Sequence, residues 1–197
     1  MPALTPAKRT LLQVLVRASS ELRTLGQEEG MMLNRFFSSI VLVGFVGGFS
    51  FAADEFALLK EEQIGNLRMD LSEKEVKKRI DCQLKRGPEE FAEYDGQYHQ
   101  SWEYPDCGIT LGMVSEKKGH SKSIDYIEVT SPCTLQTKRG IRIGSTEQEV
   151  IKAYGRDRSA ENSKPGEYFV AGSIYGGVVF DFHNGRVSKI VLGATAE

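Results

Sequence analysis

Asp181 and His183 stand two apart in an apolar run, so on a strand both side chains project from one face. A carboxylate beside an imidazole is a minimal pair for moving a proton. Ser188, on the far side of Asn184-Gly185, would be the nucleophile of a small hydrolase built around that pair. The same residues also suit a solvated strand face, which asks nothing catalytic of them. The segment Gly172-Ser173-Ile174-Tyr175-Gly176 has its serine one place early for a nucleophile elbow. No phosphate-cradling loop and no dinucleotide fingerprint is present, and no cofactor is expected.

Three cysteines, Cys82, Cys107 and Cys133, and three histidines, His99, His120 and His183, complete the reactive set. They lack C-x-x-C and H-x-x-x-H spacing, so no metal site is expected. Cys107 and Cys133 flank a predicted hairpin whose tip is Gly119, which places their ends together. The expectation is a Cys107–Cys133 disulfide, with Cys82 a buried thiol in a helix. The competing reading leaves all three as small buried apolar side chains.

The aromatic residues suggest recognition rather than catalysis. Tyr98, Trp102 and Tyr104 alternate on one face of a predicted strand. That face either packs on helices as core or stands open as a binding platform, which Tyr168 and Tyr175 would extend. Tyr and Trp suit such a platform because they offer large, stiff, amphipathic area.

The elements that position these residues repeat. Residues 67–80 and 141–154 align without a gap: Arg68/Arg142, Glu73/Glu147, Glu75/Glu149, Val76/Val150 and Lys78/Lys152 are identical. Ser72 and Thr146 correspond, and each has a Glu three residues on, the signature of a capping box. Each unit thus turns from an extended segment into a capped helix whose Val76 and Ile80, or Val150 and Tyr154, face the core. Strands are predicted over 97–104, 108–115 and 123–130 in the first unit, and over 167–174, 177–183 and 186–192 in the second. Asn184-Gly185 predicts a tight hairpin turn. The steps Ile124-x-x-Ile127 and Val187-x-x-Ile190 break alternation and predict a β-bulge in both last strands. The fold class is therefore α+β, with tandem helix-plus-three-strand repeats forming an antiparallel sheet backed by helices.

The run from Gly140-Ile-Arg-Ile-Gly144-Ser-Thr-Glu-Gln-Glu149-Val150 to Ala153-Tyr154-Gly155 resembles the repeat signature of the β-lactamase-inhibitory-protein-like fold. The small outer-membrane-assembly lipoproteins carry a similar signature. The resemblance spans roughly residues 64–195; Asp70 stands in the first unit where Gly144 stands in the second, and no lipid-anchor cysteine follows the apolar segment. It implies a secreted or envelope-facing binding module, with the concave sheet face as its binding surface.

Length and composition frame this reading. The chain has 197 residues, 40% hydrophobic and 26% charged, with a formal net charge of -2. That supports a packed core and excludes the strongly basic footprint of a nucleic-acid binder. Asn34 and Arg35 precede an uncharged run over 36–53 that ends in Ser50-Phe51-Ala52, the order of a secretory signal peptide cleaved after Ala52. An uncleaved membrane anchor over 36–53 is the alternative. Glu28-Glu29-Gly30 before Met31-Met32 is what a translated ribosome-binding site would encode, so residues 1–31 are read as a mis-called extension. The divisions are then 32–52 signal, 53–63 leader, 64–133 first repeat and 134–197 second repeat. The expected function is a noncatalytic, possibly inhibitor-like module, periplasmic or secreted, that binds another envelope or secreted protein. An envelope assembly factor and a small hydrolase using Asp181 and His183 are the rivals.

Overall fold

Two helix starts are fixed by the same chemistry. The backbone N–H of Ser72 donates to Glu75 Oε2 at 3.0 Å, and its hydroxyl donates to the same oxygen at 2.8 Å. The backbone N–H of Thr146 donates to Glu149 Oε2 at 2.7 Å, while the Glu149 N–H donates back to Thr146 Oγ1 at 3.3 Å. These capping boxes satisfy backbone groups that have no partner inside the helix. They open α2 (Glu73–Arg79) and α3 (Glu147–Tyr154), after a one-turn α1 (Ala57–Glu61). The computed structural model describes residues 56–194, so the expected extension, signal segment and start of the leader lie outside the described residues.

The strands are β1 (Lys85–Ala92), β2 (Gln97–Tyr104), β3 (Ile109–Ser115), β4 (Ser123–Thr130), β5 (Tyr168–Ser173), β6 (Gly176–His183) and β7 (Arg186–Gly193). They form one antiparallel sheet in the order β1-β2-β3-β4-β7-β6-β5. The architecture is mixed α+β and mostly β. Six strands fall where alternation placed them. β1 lies outside the strands predicted from the sequence; its Pro88 and four charged residues break the alternation that marks the others. The register shifts opposite the Ile124–Ile127 and Val187–Ile190 steps, where bulges were expected. Asn184 and Gly185 take φ of 51° and 72°, both in the left-handed region that the turn requires.

Each helix start is also stitched to the last strand of the meander that follows it. Asp70 N–H donates to the Ile124 carbonyl, Ile124 N–H to Leu71, and Glu73 N–H to Lys122, at 2.7–3.1 Å. Gly144 N–H donates to Val187, Val187 N–H to Ser145, and Glu147 N–H to Gly185, at 2.8–3.2 Å. Asp70 and Gly144 both have positive φ, 63° and 89°. After glycine, aspartate is among the residues that tolerate that region best.

The core joins one face of the sheet to the helices. Trp102, Tyr104, Leu111, Met113, Ile127, Ile190 and Phe180 pack with Val76, Val150 and Tyr154. The Tyr154 hydroxyl donates to the buried Glu62 carboxylate at 2.8 Å; that carboxylate also accepts the Lys138 N–H at 2.7 Å and the Gln63 N–H at 3.0 Å. Burial pushes the Tyr154 phenol well above its ordinary value, and the Arg139 guanidinium lies 4.6 Å from its ring centre. The opposite sheet face carries a smaller apolar cluster of Val170, Val179 and Val191.

The expected Cys107–Cys133 disulfide is corrected: the bond joins Cys82 to Cys107, and Cys133 is the buried free thiol. Cys82 lies beyond the end of α2 rather than within a helix. Cys107 ends a 3-10 turn (Pro105–Cys107) before β3, rather than opening the strand. Sequence spacing located the hairpin base but not the segment that crosses it.

Candidate binding surface

The aromatic strand resolves as core at one end and surface at the other. Trp102 and Tyr104 are 1% and 2% exposed, which corrects their expected place on a binding platform. The Trp102 indole N–H donates to Gln100 Oε1 at 2.9 Å, and Arg86 lies 4.5 Å from the ring centre. These contacts satisfy its polar atom and cover a ring face, so nothing of the indole remains for a partner. Burial raises the Tyr104 phenol above its ordinary range.

Tyr98, at the start of β2, is only half-buried. It meets Phe91 of β1 at 5.1 Å between ring centres, and the register pairs the two residues directly. Phe91 is 53% exposed, and Tyr94 in the connecting turn is 83% exposed. The Tyr94 ring lies 5.7 Å from the His99 ring. His99 Nε2 is 2.8 Å from Asp95 Oδ2, and the Gln97 N–H donates to Asp95 Oδ1 at 3.0 Å. Burial alone would raise the Asp95 carboxyl, but the Gln97 N–H and the His99 imidazole hold it below its ordinary value. The turn is thereby tied by its own side chains, and the tip presents two large aromatic rings on a braced hairpin.

β1 is anchored across the tip. Glu89 forms an ion pair with Lys122 at 2.8 Å and accepts the Gly119 N–H at 3.0 and 3.1 Å. Its outer edge carries Lys85, Arg86, Pro88 and Glu90, with a register shift between Arg86 and Glu89. Proline, charge and bulge are devices that discourage a further strand from pairing there. This end of the sheet therefore offers side chains at its tip rather than an open backbone edge.

Tyr168 and Tyr175 are exposed, but on β5 and the turn after it, at the opposite edge of the sheet. Five strand spacings separate β5 from β2, roughly 24 Å, so these tyrosines do not extend the Tyr98 surface. Asp181 is held by Lys189 at 2.9 Å, and the Ser188 hydroxyl donates to the Asp181 backbone carbonyl at 3.2 Å. The geometry thus brings Ser188 to the strand backbone and not to His183. Clefts of about 400 Å³ near Arg156 and about 380 Å³ near the disulfide have no histidine among their lining residues. Among the described residues, no group of His, Cys, Asp and Glu is placed to hold a metal ion, and no helix is long and apolar enough to cross a membrane.

Phe91, Tyr94 and Asp95 were missed by sequence reasoning, although a signal was present. Asp95-Gly96 precedes an alternating strand and is a hairpin dipeptide of the same kind as Asn184-Gly185. Comparison with known proteins finds no matching family model, no matching curated protein and no matching solved structure.

Proposed function

We propose that this chain is an exported, noncatalytic module that binds another envelope or secreted protein through the β1–β2 tip. The observation that carries the reading is the pair Phe91 and Tyr94, 53% and 83% exposed on a hairpin braced by Asp95, His99 and Glu89. Large aromatic rings carried on a braced hairpin supply the kind of area found in hot spots. The signal-like run over 36–53 supports export, and the disulfide suits an oxidising compartment.

The two halves are read as a duplication, as the resemblance to inhibitor-like folds implies. Support comes from the matched caps at Ser72 and Thr146, the matched backbone bonds to Ile124 and Val187, and the shared positive φ at Asp70 and Gly144. In the second half the place of β1 is taken by the short segment at Arg158 and Ser159, which bridges Ala171 and hydrogen-bonds Val170 at the edge of β5. On this reading β1 is the longer form of that segment, and its extension carries the binding tip.

The test is a crosslinked capture from the native envelope with tagged protein, alongside Phe91→Ser/Tyr94→Ser and Tyr168→Ala/Tyr175→Ala versions. The expected result is one abundant partner, reduced at least about tenfold by the tip pair and retained by the β5 pair, with unchanged melting temperatures. Equal recovery by wild type and the tip variant would reject the tip as the binding surface.

A further inference from the structure

All three cysteines converge on one cavity. Cys82, Cys107 and Cys133 line a cleft of about 380 Å³, together with Arg79, Asp81 and Asp106. Cys82 and Cys107 form the disulfide, and the free Cys133 belongs to the buried cluster against which both of them pack. The chain is tightly drawn here. Thr130 N–H donates to the Gly108 carbonyl at 2.9 Å, and Cys133 N–H donates to the Thr130 carbonyl at 2.8 Å. Gly108 has φ of 62°, and a Cβ there would meet the Thr130 carbonyl at 2.3 Å and the Cys133 nitrogen at 2.9 Å. Only glycine lets the residue after Cys107 lie so close to the backbone of Cys133.

We propose that Cys133 exchanges with the Cys82–Cys107 disulfide, so that the protein has two disulfide isomers. The Cys133 thiolate attacks the Cys107 sulfur. The Cys133–Cys107 bond forms, the Cys82–Cys107 bond breaks, and Cys82 leaves as a thiolate that takes up the proton lost by Cys133. The step is a redistribution that needs no oxidant or reductant. Chain entropy does not choose between the isomers: Cys82 and Cys107 are separated by 25 residues in sequence, and Cys107 and Cys133 by 26. Local packing decides instead. One isomer staples the segment after α2 to the turn before β3; the other staples the base of the β3–β4 hairpin and releases the segment that leads into β1. Burial pushes the Cys133 thiol above its ordinary value, so at neutral pH the nucleophile is scarce and exchange is slow rather than forbidden.

The protein is incubated undenatured with a low-millimolar mixture of reduced and oxidised glutathione, the oxidised form being the oxidant that joins two thiols in the variant lacking Cys82; it is then quenched in acid and digested by pepsin in acid, and its disulfide-linked peptides are mapped. The Cys107–Cys133 link is expected in at least about one molecule in a hundred, and in most molecules of a Cys82→Ser variant. Cys133→Ala serves as the control and retains only Cys82–Cys107. A wild-type map that contains only Cys82–Cys107 overturns the proposal, whether or not Cys82→Ser folds. So does a folded Cys82→Ser protein in which Cys107 and Cys133 both titrate as free thiols.

Discussion

At the scale of the residue, environment separates side chains that the sequence presents as equals. Tyr98, Trp102 and Tyr104 alternate on one strand face, yet only the latter two lie among the core residues. Trp102 should therefore behave as a structural residue. Trp102→Ala is expected to cost about 3–5 kcal/mol through lost burial and the cavity left behind. In a melt followed by circular dichroism, that corresponds to a fall of about 10 °C or more. A change of a degree or two would mean that the indole is not packed as described. Asp181 teaches the same lesson, because the side chain its carboxylate meets, at 2.9 Å, is Lys189.

At the scale of the element, the two short helices depend on their first turns. An isolated helix of seven or eight residues is not stable in water, so caps and tertiary contacts decide whether it forms. Thr146→Ala and Ser72→Ala are each expected to cost about 1 kcal/mol in urea unfolding. The caps also make an acid-sensitive contribution. Hydrogen bonds from Ser72 and Thr146 hold the Glu75 and Glu149 carboxyls below their ordinary value near 4.5. A carboxyl lowered by folding stabilises the native state above its unfolded pKa, and the contribution is lost as pH falls through the folded one. The penalty of Ser72→Ala and Thr146→Ala should thus be full at pH 6 and shrink below about pH 4.5. A penalty that is constant from pH 6 to pH 3 would contradict the capping-box account. The Cys82–Cys107 bond adds a third constraint, worth about 3 kcal/mol by loop closure, at the point where the chain leaves α2 for the edge of the sheet.

At the scale of the whole molecule, one sheet passes through both halves of the chain by way of the β4–β7 pairing. Glu62 further ties α1 to Tyr154 and to the backbone at Lys138. The main apolar core draws its residues from both halves, so unfolding should be a single transition. Trp102 is the chain's one tryptophan and lies in the first half. Its emission should follow the same curve as the circular dichroism, and Thr146→Ala in the second half should shift both curves equally. A tryptophan transition that stays in place while the dichroism moves would show the halves to be independent.

Much of the fold was legible in the sequence because local chemistry wrote it there. The caps at Ser72 and Thr146, the turn at Asn184-Gly185 and the broken alternation after Ile124 and Val187 each depend on neighbours in the chain, and each fell where it was expected. Six strands followed from period-two patterning. β1 did not, because an edge strand is built from charge, proline and a bulge, which are the marks of a loop when read without its neighbour. The candidate site was less legible. Which cysteine reaches Cys107, whether Trp102 faces helices or water, and how far Tyr168 lies from Tyr98 all depend on contacts between distant segments. Those were fixed only when the sheet closed in its particular strand order and one of its faces was covered.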